Sequence, residues 1–329
     1  MAKVFIIAEA GVNHNGSLDL AIKLVEEAHK AGADAVKFQT FNPKAIITSD
    51  APKAEYQKKQ TGEGSQLGML EKLSLSHEEH RTLKEKCEEL GIEFMSSPFD
   101  LDSATFLKEL GVNRFKIGSG ELTNFPLLKH IASMNMPTIL STGMATIEEI
   151  QTACEVFNKE DLILLHCNTE YPTPLEHVNL KAMLHINKET GVEYGYSDHT
   201  LGFTACLSAV ALGATVLEKH FTLDKTMDGP DHSCSLEPHE LKQMVGQVRE
   251  AELCLSGDGI KRPTDSEIKN VNIVRKSIVA ATKIQKGQII TENDVTTKRP
   301  GDGLSPFKWE AVIGSKAVRD FDVDERIEL

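Results

Sequence analysis

The chain lacks features that several classes of protein require. Its 329 residues contain no apolar run near the ~20 residues that a membrane-spanning helix needs. The six cysteines form no Cys-x-x-Cys pair, so we expect reduced, buried thiols rather than a metal or redox centre. The formal net charge of −13 opposes nucleic acid binding, which requires a basic surface. Neither a Gly-x-Gly-x-x-Gly nor a Gly-x-x-x-x-Gly-Lys motif supports nucleotide binding. The sequence starts at once with a β-like segment that has no basic region or apolar signal core, so we expect a cytoplasmic protein rather than a secreted one.

Eight short apolar segments recur along the first 220 residues, and each closes in polar or charged residues. They span residues 4–11, 34–40, 92–100, 114–121, 138–144, 162–168, 194–199 and 216–221. Helical periodicity follows them, and this alternation predicts a (β/α)₈ TIM barrel. Active sites in that fold lie at the carboxyl ends of the strands, so the residues that end the segments are the candidate site. They are Glu9, Lys37, Gln39, Ser97, Lys116, Ser119, Glu121, Ser141, Asn168, Ser197, Asp198, His199 and His220.

The length of the chain predicts a second domain. A barrel typically needs ~250 residues, and we expect it over 1–256, followed by a Gly- and Pro-containing linker over 257–274. Short β-like runs and Gly-rich turns predict a small, mainly β domain over 275–329. The longest spacing separates the second and third segments, and we interpret 42–75 as a substrate-binding loop or lid. Tyr56, Leu67, Met69 and Leu70 lie in this loop and argue against a disordered surface segment.

Two lysines and three serines end neighbouring segments: Lys37, Lys116, Ser97, Ser119 and Ser141. Ammonium groups together with short hydroxyl donors suit a phosphate or carboxylate ligand, because they satisfy several anionic oxygens at once. For either lysine alone, a salt bridge to a neighbouring glutamate is the simpler interpretation. The pair on one side of the barrel mouth favours a ligand.

His199 and His220 end the seventh and eighth segments, which are adjacent in a barrel. Two imidazoles there are able to share a divalent cation and leave positions open for substrate and water. Two protein ligands make an incomplete site, which Asp198, Glu218 or Asp231 could complete or orient. Glu9, at the end of the first segment, is a candidate base toward water or a sugar hydroxyl.

Nine separated strings make the chain similar to a known family. They are IAEAGVNHNGS (7–17), DAVKFQTF (34–41), KIGSGE (116–121), LSTGMAT (140–146), HCNTEYPTP (166–174), SDHT (197–200), EKHFTLDK (218–225), GPDH (229–232) and KRPGDG (298–303). Together they resemble the sialic acid synthase (N-acetylneuraminate synthase) family of bacterial type. The tail is similar to that family's antifreeze-protein-like (SAF) domain.

The resemblance implies an activity and a set of roles. The reaction would join phosphoenolpyruvate, N-acetylmannosamine and water into N-acetylneuraminate and phosphate, with carbon–oxygen cleavage and Mn²⁺ or Mg²⁺. The implied metal ligands are His199 and His220. The implied phosphoenolpyruvate contacts are Lys37, Lys116, Ser97 and Ser119. The implied contacts to the sugar or to metal-bound groups are Gln39, Tyr171 and Asp231, with Ser141, Asn168 and Ser197 as further substrate-binding residues. The implied acid/base carboxylates are Glu9 and Glu121.

The resemblance also implies a domain-swapped homodimer. Arg299 matches a family arginine that reaches into the partner's barrel and contacts the N-acetyl group. Some family members carry Asn at the position aligned with Thr169, so either Asn168 supplies that amide or the sugar differs.

Other functions remain open from the sequence. The family includes legionaminic and pseudaminic acid synthases, and N,N'-diacetyllegionaminate is the alternative product. A Schiff-base aldolase using Lys37 or Lys116 is a more distant alternative. A non-catalytic sugar-binding protein has no need of the histidine pair. An ice-binding role for the tail rests on the domain's name alone.

Overall fold

The computed structural model describes residues 3–48, 51–52 and 65–329. The chain divides into two compact units, Met1–Ser256 and Gly257–Leu329. Of the predicted loop over 42–75, Tyr56 and the other residues of 53–64 lie outside the described residues, as do 49 and 50. In the described residues, no helix combines the length and the apolar character needed to cross a bilayer.

Eight parallel strands form the core of the first unit. They are β1 (Phe5–Gly11), β2 (Ala35–Thr40), β3 (Glu93–Pro98), β4 (Phe115–Ile117), β5 (Thr138–Ser141), β6 (Leu162–His166), β7 (Glu193–Asp198) and β8 (Val216–His220). Their order is β3-β2-β1-β8-β7-β6-β5-β4, the cyclic order of a TIM barrel that has β3 and β4 at the ends of the hydrogen-bonded run. Each predicted segment contains one strand, so the (β/α)₈ prediction is confirmed.

Helices follow the strands. They are α1 (Leu18–Ala31), α2 (Pro43–Ile46), α3 (Gln66–Leu73), α4 (His77–Leu90), α5 (Leu101–Leu110), α6 (Phe125–Ala132), α7 (Ile147–Cys154), α8 (Lys181–Thr190), α9 (Thr204–Ala211) and α10 (Pro238–Cys254). Local sequence sets several of their ends. Ser76 and Glu79 form a capping box that starts α4, and Gly32, at a φ of 83°, ends α1 in the left-handed conformation that favours glycine.

Alternation along the strands separates two apolar cores. Residues such as Ile6 and Phe38 face outward and pack under the helices. The residues that alternate with these along each strand face the barrel interior. They form a second cluster: Ile7, Ala35, Met95, Ile139, Leu165 and Val216. Two positions further along each strand, the interior residues are mostly polar. The apolar interior therefore ends where the predicted site begins.

Gly195 of β7 lies in this interior layer, where the barrel has no room for a larger residue. A Cβ there would come within 2.3 Å of the Val216 carbonyl oxygen and 2.7 Å of Leu165 Cδ2. We expect Gly195→Ala to destabilise the protein by at least about 1–3 kcal/mol, the usual cost of overpacking, because strand backbone cannot move aside. Chemical denaturation measures this. Gly246→Ala on α10, where a Cβ meets nothing within 4 Å, is the control and should stabilise slightly; equal midpoints for the two variants would contradict the prediction.

The second unit is small and partly β. It contains α11 (Asp265–Val274), the antiparallel strands β9 (Ser277–Ala280) and β10 (Val295–Lys298), and α12 (Trp309–Val312). Helix α11 lies within the segment predicted to be a linker. A helix forms there because Thr264 and Glu267 make a capping box at its first turn. The unit has its own apolar cluster, which includes Ile278, Val295 and Phe321.

Candidate active site

A cavity of about 310 Å³ opens at the carboxyl ends of the barrel strands. The predicted residues that line it are Glu9, Lys37, Gln39, Ser97, Lys116, Ser119, Ser141, Tyr171, Ser197, His199, His220 and Asp231. These residues come from well-separated parts of the sequence. The barrel thus brings most of the predicted site together.

Four predicted site residues do not line the cavity: Glu121, Asn168, Arg299 and Asp198. Glu121 does not line the cavity; it ends the Ser119–Glu121 turn and accepts a hydrogen bond from Asn124 Nδ2 at 2.6 Å. Asn168 does not line the cavity, and its carbonyl oxygen lies 2.6 Å from His199 Nδ1 and accepts the hydrogen of that ring. Arg299 is exposed in the second unit, just after β10, and its role stays a prediction.

Asp198 requires a correction. We expected it to share the barrel mouth with His199, but alternation turns the two side chains to opposite faces of β7. Asp198 is fully buried on the outer face, where its carboxylate lies 2.9 Å from Lys219 Nζ and accepts a hydrogen bond from Thr200 N at 2.8 Å. It therefore holds the ends of β7 and β8 together and is not a cavity residue.

Four charged groups form the floor of the cavity. Lys37 Nζ lies 2.7 Å from Glu9 Oε2 and 3.8 Å from Glu218 Oε2, and Lys116 Nζ lies 3.5 Å from Glu218 Oε1. All four side chains are at most 5% exposed. Each lysine thus contacts a glutamate and also faces the cavity, so the salt bridges are present and the anionic ligand stays a prediction.

The two glutamates of the floor differ in acidity. Burial raises the pKa of Glu9 above its usual range, and the charge of Lys37 only partly offsets this effect. Burial also acts to raise the pKa of Glu218, but the charges of Lys116 and Lys37 outweigh it and leave that pKa low. Two carboxyl groups whose pKa values are pushed apart are typical of acid/base sites. Glu9 is suited to proton transfer, whereas Glu218 stays ionised.

Serine hydroxyls surround the floor. Ser97 Oγ accepts from Lys37 Nζ at 3.1 Å, and Ser197 Oγ donates to Glu218 Oε1 at 3.0 Å. Ser119 Oγ accepts from the Gly143 amide at 3.1 Å and lies 3.0 Å from Cys167 Sγ. Ser141 Oγ is buried without a hydrogen-bond partner among the described residues. Short donors beside two ammonium groups suit an anion with several oxygens.

His199 and His220 stand side by side at the edge of the floor, with ring centroids 5.4 Å apart. Burial lowers the pKa of His199 to about 4 and that of His220 well below its usual value, so both rings are neutral near pH 7. The Asn168 carbonyl holds the His199 Nδ1–H, which leaves Nε2 as a possible metal donor. His220 Nδ1 is buried without a hydrogen-bond partner, 4.0 Å from Asp231 Oδ2.

These neutral imidazoles, one with an orphaned ring nitrogen, have the donor chemistry for a divalent cation. Within the described ranges, no group of three or more His, Cys, Asp or Glu side chains has the geometry of a complete metal site. A cation held here would therefore keep positions open for substrate and water.

The cavity also has an apolar side, of which the sequence analysis had named only Met69 and Leu70, as residues of the predicted loop. We call it the apolar wall, and it consists of Phe41, Ile46, Ile47, Met69, Leu70 and Phe99. Phe41 and Phe99 continue the inward-facing periodicity of β2 and β3, which could have identified them. The other four belong to or follow α2 and α3, in the segment predicted as a substrate-binding loop.

Comparison with known proteins agrees with this site. The NeuB family model matches residues 24–261, and the SAF domain model matches residues 275–326. The N,N'-diacetyllegionaminic acid synthase of Campylobacter jejuni is 51% identical, over 99% of each chain. The enzyme of the same name from Legionella pneumophila is 47% identical, over 95% of this chain and 90% of its own.

A solved structure shares the fold. The N-acetylneuraminic acid (sialic acid) synthetase of Leptospira borgpetersenii, crystallised with citrate, superimposes with a TM-score of 0.74 and 36% identity, covering 82% of this chain and 90% of its own. The NeuB model covers most of the chain, the SAF model follows it, and a relative is 51% identical over nearly the full length. This chain therefore belongs to the NeuB family.

Proposed function

We propose that the protein condenses phosphoenolpyruvate with an N-acetylated amino sugar and water, giving a nine-carbon acidic sugar and phosphate. The observation that carries this proposal is the single cavity that combines two buried lysines, a ring of serines and a neutral histidine pair. For the sugar, our first expectation was N-acetylmannosamine. The relatives at 51% and 47% identity favour the alternative, with N,N'-diacetyllegionaminate as product, and we adopt it.

The charged floor is suited to phosphoenolpyruvate. Its phosphate and carboxylate need several positive charges and donors, and Lys37, Lys116 and the serines supply them out of bulk water. Without ligand, the two lysines are balanced by Glu9 and Glu218. An arriving anion would draw a proton onto Glu9, whose pKa is already raised, so binding would tune the acid/base group.

His199 and His220 would hold Mn²⁺ or Mg²⁺ beside this floor. When bound, the cation supplies Lewis acidity toward the open-chain aldehyde of the sugar. The protein's own part is to keep both rings neutral by burial and to orient His199 through the Asn168 carbonyl.

Proton transfer falls to Glu9 in this proposal. The methylene carbon of phosphoenolpyruvate forms the new carbon–carbon bond, and water adds at the carbon that carries phosphate. Glu9, protonated as the anion binds, gives its proton to the aldehyde oxygen, which becomes a hydroxyl, and then accepts a proton from the water that adds. The remaining proton of that water passes to the phosphate, which Lys37 and Lys116 hold as it leaves with its bridging oxygen. The bond that breaks is carbon–oxygen.

Phosphate release by the purified protein tests the proposal. We expect release from phosphoenolpyruvate and Mn²⁺ with 2,4-diacetamido-2,4,6-trideoxymannose, and its loss when a chelator is added. In H₂¹⁸O, the phosphate should carry no label from water, since the carbon–oxygen bond breaks. Release with neither this sugar nor N-acetylmannosamine would refute the proposal, and labelled phosphate would refute the bond cleavage.

One observation favours the aldolase alternative. Burial lowers the pKa of Lys116, which is the condition that a Schiff-base lysine needs. Its contact with Glu218, however, favours the charged form, which is not nucleophilic. Borohydride treatment with pyruvate separates the two mechanisms: we expect no covalent adduct, and an adduct on Lys116 would support the aldolase.

A further inference from the structure

The two sides of the cavity differ in chemistry. Strands four apart in sequence face one another across an eight-stranded barrel. Phe41, after β2, therefore faces the end of β6, where Thr169 and Tyr171 lie, and Phe99, after β3, faces His199 at the end of β7. One side of the mouth carries the polar residues and the histidine pair, and the other is the apolar wall.

The apolar wall is a built surface rather than a few scattered side chains. Phe41 and Met69 are at most 9% exposed and pack with Val12 and Leu73 in one cluster, and Ile46, Leu70 and Phe99 pack against that cluster. Phe41 and Phe99 are in edge-to-face contact, with centroids 6.1 Å apart. Helices α2 and α3 thus present a fixed apolar face to the cavity.

Two amide side chains border this face. Gln39 lies on β2 between Lys37 and Phe41, and Gln66 begins α3; both line the cavity. In the part of the chain that the structure describes, no hydrogen bond satisfies either side-chain amide. Each offers one acceptor and two donors, the complement of an acetamido group. An acetamido group would fit this region, because its amide would hydrogen-bond to a glutamine side chain and its methyl group would contact the apolar wall.

We propose that the apolar wall, with Gln39 and Gln66 beside it, is the subsite that selects a deoxygenated, doubly N-acetylated aldose over a polyhydroxylated one. The inference rests on the proposed function. With the aldehyde at the histidine pair, the rest of the sugar chain extends across the barrel toward the wall. The last carbons of the sugar and the substituent on C4 are then the groups that meet it.

The two candidate sugars differ at these positions. 2,4-Diacetamido-2,4,6-trideoxymannose ends in a methyl group and carries an acetamido group at C4, whereas N-acetylmannosamine has hydroxyls at both places. Burying the methyl groups is favourable, and a hydroxyl against this wall loses water without gaining a partner. Because apolar sites reject an added hydroxyl only moderately, we expect a preference on the order of 10²-fold in kcat/KM.

Leu70→Gln tests the wall by placing a polar group of similar size in it. The measurement is kcat/KM for each sugar at saturating phosphoenolpyruvate, together with the KM for phosphoenolpyruvate. We expect the preference for the diacetamido sugar to fall by at least about 10-fold, with the KM for phosphoenolpyruvate within about twofold of wild type. Ile46→Asn, from α2, should do the same. Leu184→Gln on α8, an exposed helical leucine outside the cavity, is the matched control and should leave both values unchanged.

The outcomes separate this inference from the proposed function. If the wild type releases phosphate with neither sugar, the proposed function fails. If it prefers N-acetylmannosamine, the family reaction stands and the role of the wall is refuted. If it prefers the diacetamido sugar and both wall variants, folded by circular dichroism, keep that preference, selectivity arises elsewhere and the inference is overturned. A loss of preference in both variants but not in the control supports it.

Discussion

Lys116→Met is expected to lower kcat/KM for phosphoenolpyruvate by about 10²- to 10³-fold, the usual effect of removing one buried group that stabilises developing negative charge. Lys116 is 2% exposed and faces the cavity floor, so water cannot replace its charge. Its loss also leaves Glu218 with Lys37 alone, at 3.8 Å, and the uncompensated carboxylate repels the arriving anion. The measurement is steady-state phosphate release over a range of phosphoenolpyruvate concentrations.

Two controls make this result specific. Lys181→Met removes an exposed lysine at the start of α8 and should leave the kinetics unchanged. The double variant Lys116→Met/Glu218→Gln tests the repulsion between the Glu218 carboxylate and phosphoenolpyruvate. Because it removes that carboxylate, it should bind phosphoenolpyruvate better than Lys116→Met alone. A Lys116→Met enzyme with wild-type KM and kcat would show that the anion binds away from this floor.

Asp198→Asn should lower the free energy of unfolding by about 3–5 kcal/mol, the usual cost of breaking a buried ion pair by removing one partner. Four donors converge on this carboxylate: Lys219 Nζ at 2.9 Å, Thr200 N at 2.8 Å, and Tyr196 OH and Cys206 Sγ at 3.2 Å each. An amide offers one acceptor oxygen instead of two and leaves the Lys219 charge buried without a counterion. Denaturant unfolding of the whole chain, followed by circular dichroism, measures the change.

A double variant tests whether the loss of stability arises from leaving the Lys219 charge buried without a counterion. In the double variant Asp198→Asn/Lys219→Met, no charge is left buried, and we expect part of the lost stability to return. Glu27→Gln, which breaks the solvent-exposed contact between Glu27 and Lys30, is the control and should shift the unfolding midpoint little. An Asp198→Asn midpoint equal to that of Glu27→Gln would contradict the structural role of Asp198.

Much of this architecture could be predicted because the barrel follows from local patterns. Apolar runs that end in polar residues gave all eight strands, and the carboxyl-end rule placed Glu9, Lys37 and His220 at one mouth. The same rule misplaced Asp198, because a strand end turns alternate residues to opposite faces and polarity does not tell them apart. Applying the period of two from Ser197 and His199 would have turned Asp198 outward.

Apart from Phe41 and Phe99, which the period of two turns inward, the apolar wall could not be derived in this way. A hydrophobic residue such as Leu70 in a long insertion is compatible with a core, a surface or a ligand site, and the sequence does not distinguish these places. Its position depends on how α2 and α3 pack over β2 and β3, which is a matter of tertiary contacts. The unequal acidity of Glu9 and Glu218 is likewise a property of the assembled floor, since it arises from their burial and from the charges of Lys37 and Lys116 around them.

The alternation at the ends of β7 and β8 has a practical consequence for directed evolution. Side chains that touch the substrate region, His199 and His220, are direct sequence neighbours of the fold-holding pair Asp198 and Lys219. A mutant library spanning these short segments would yield two kinds of inactive clone: those that fail to fold and those that fold but do not turn over. An activity screen alone does not distinguish the two. Recording soluble yield beside turnover should separate them, because we expect replacements of Asp198 or Lys219 to lower the amount of protein and replacements of the histidines to leave abundant protein without the proposed activity.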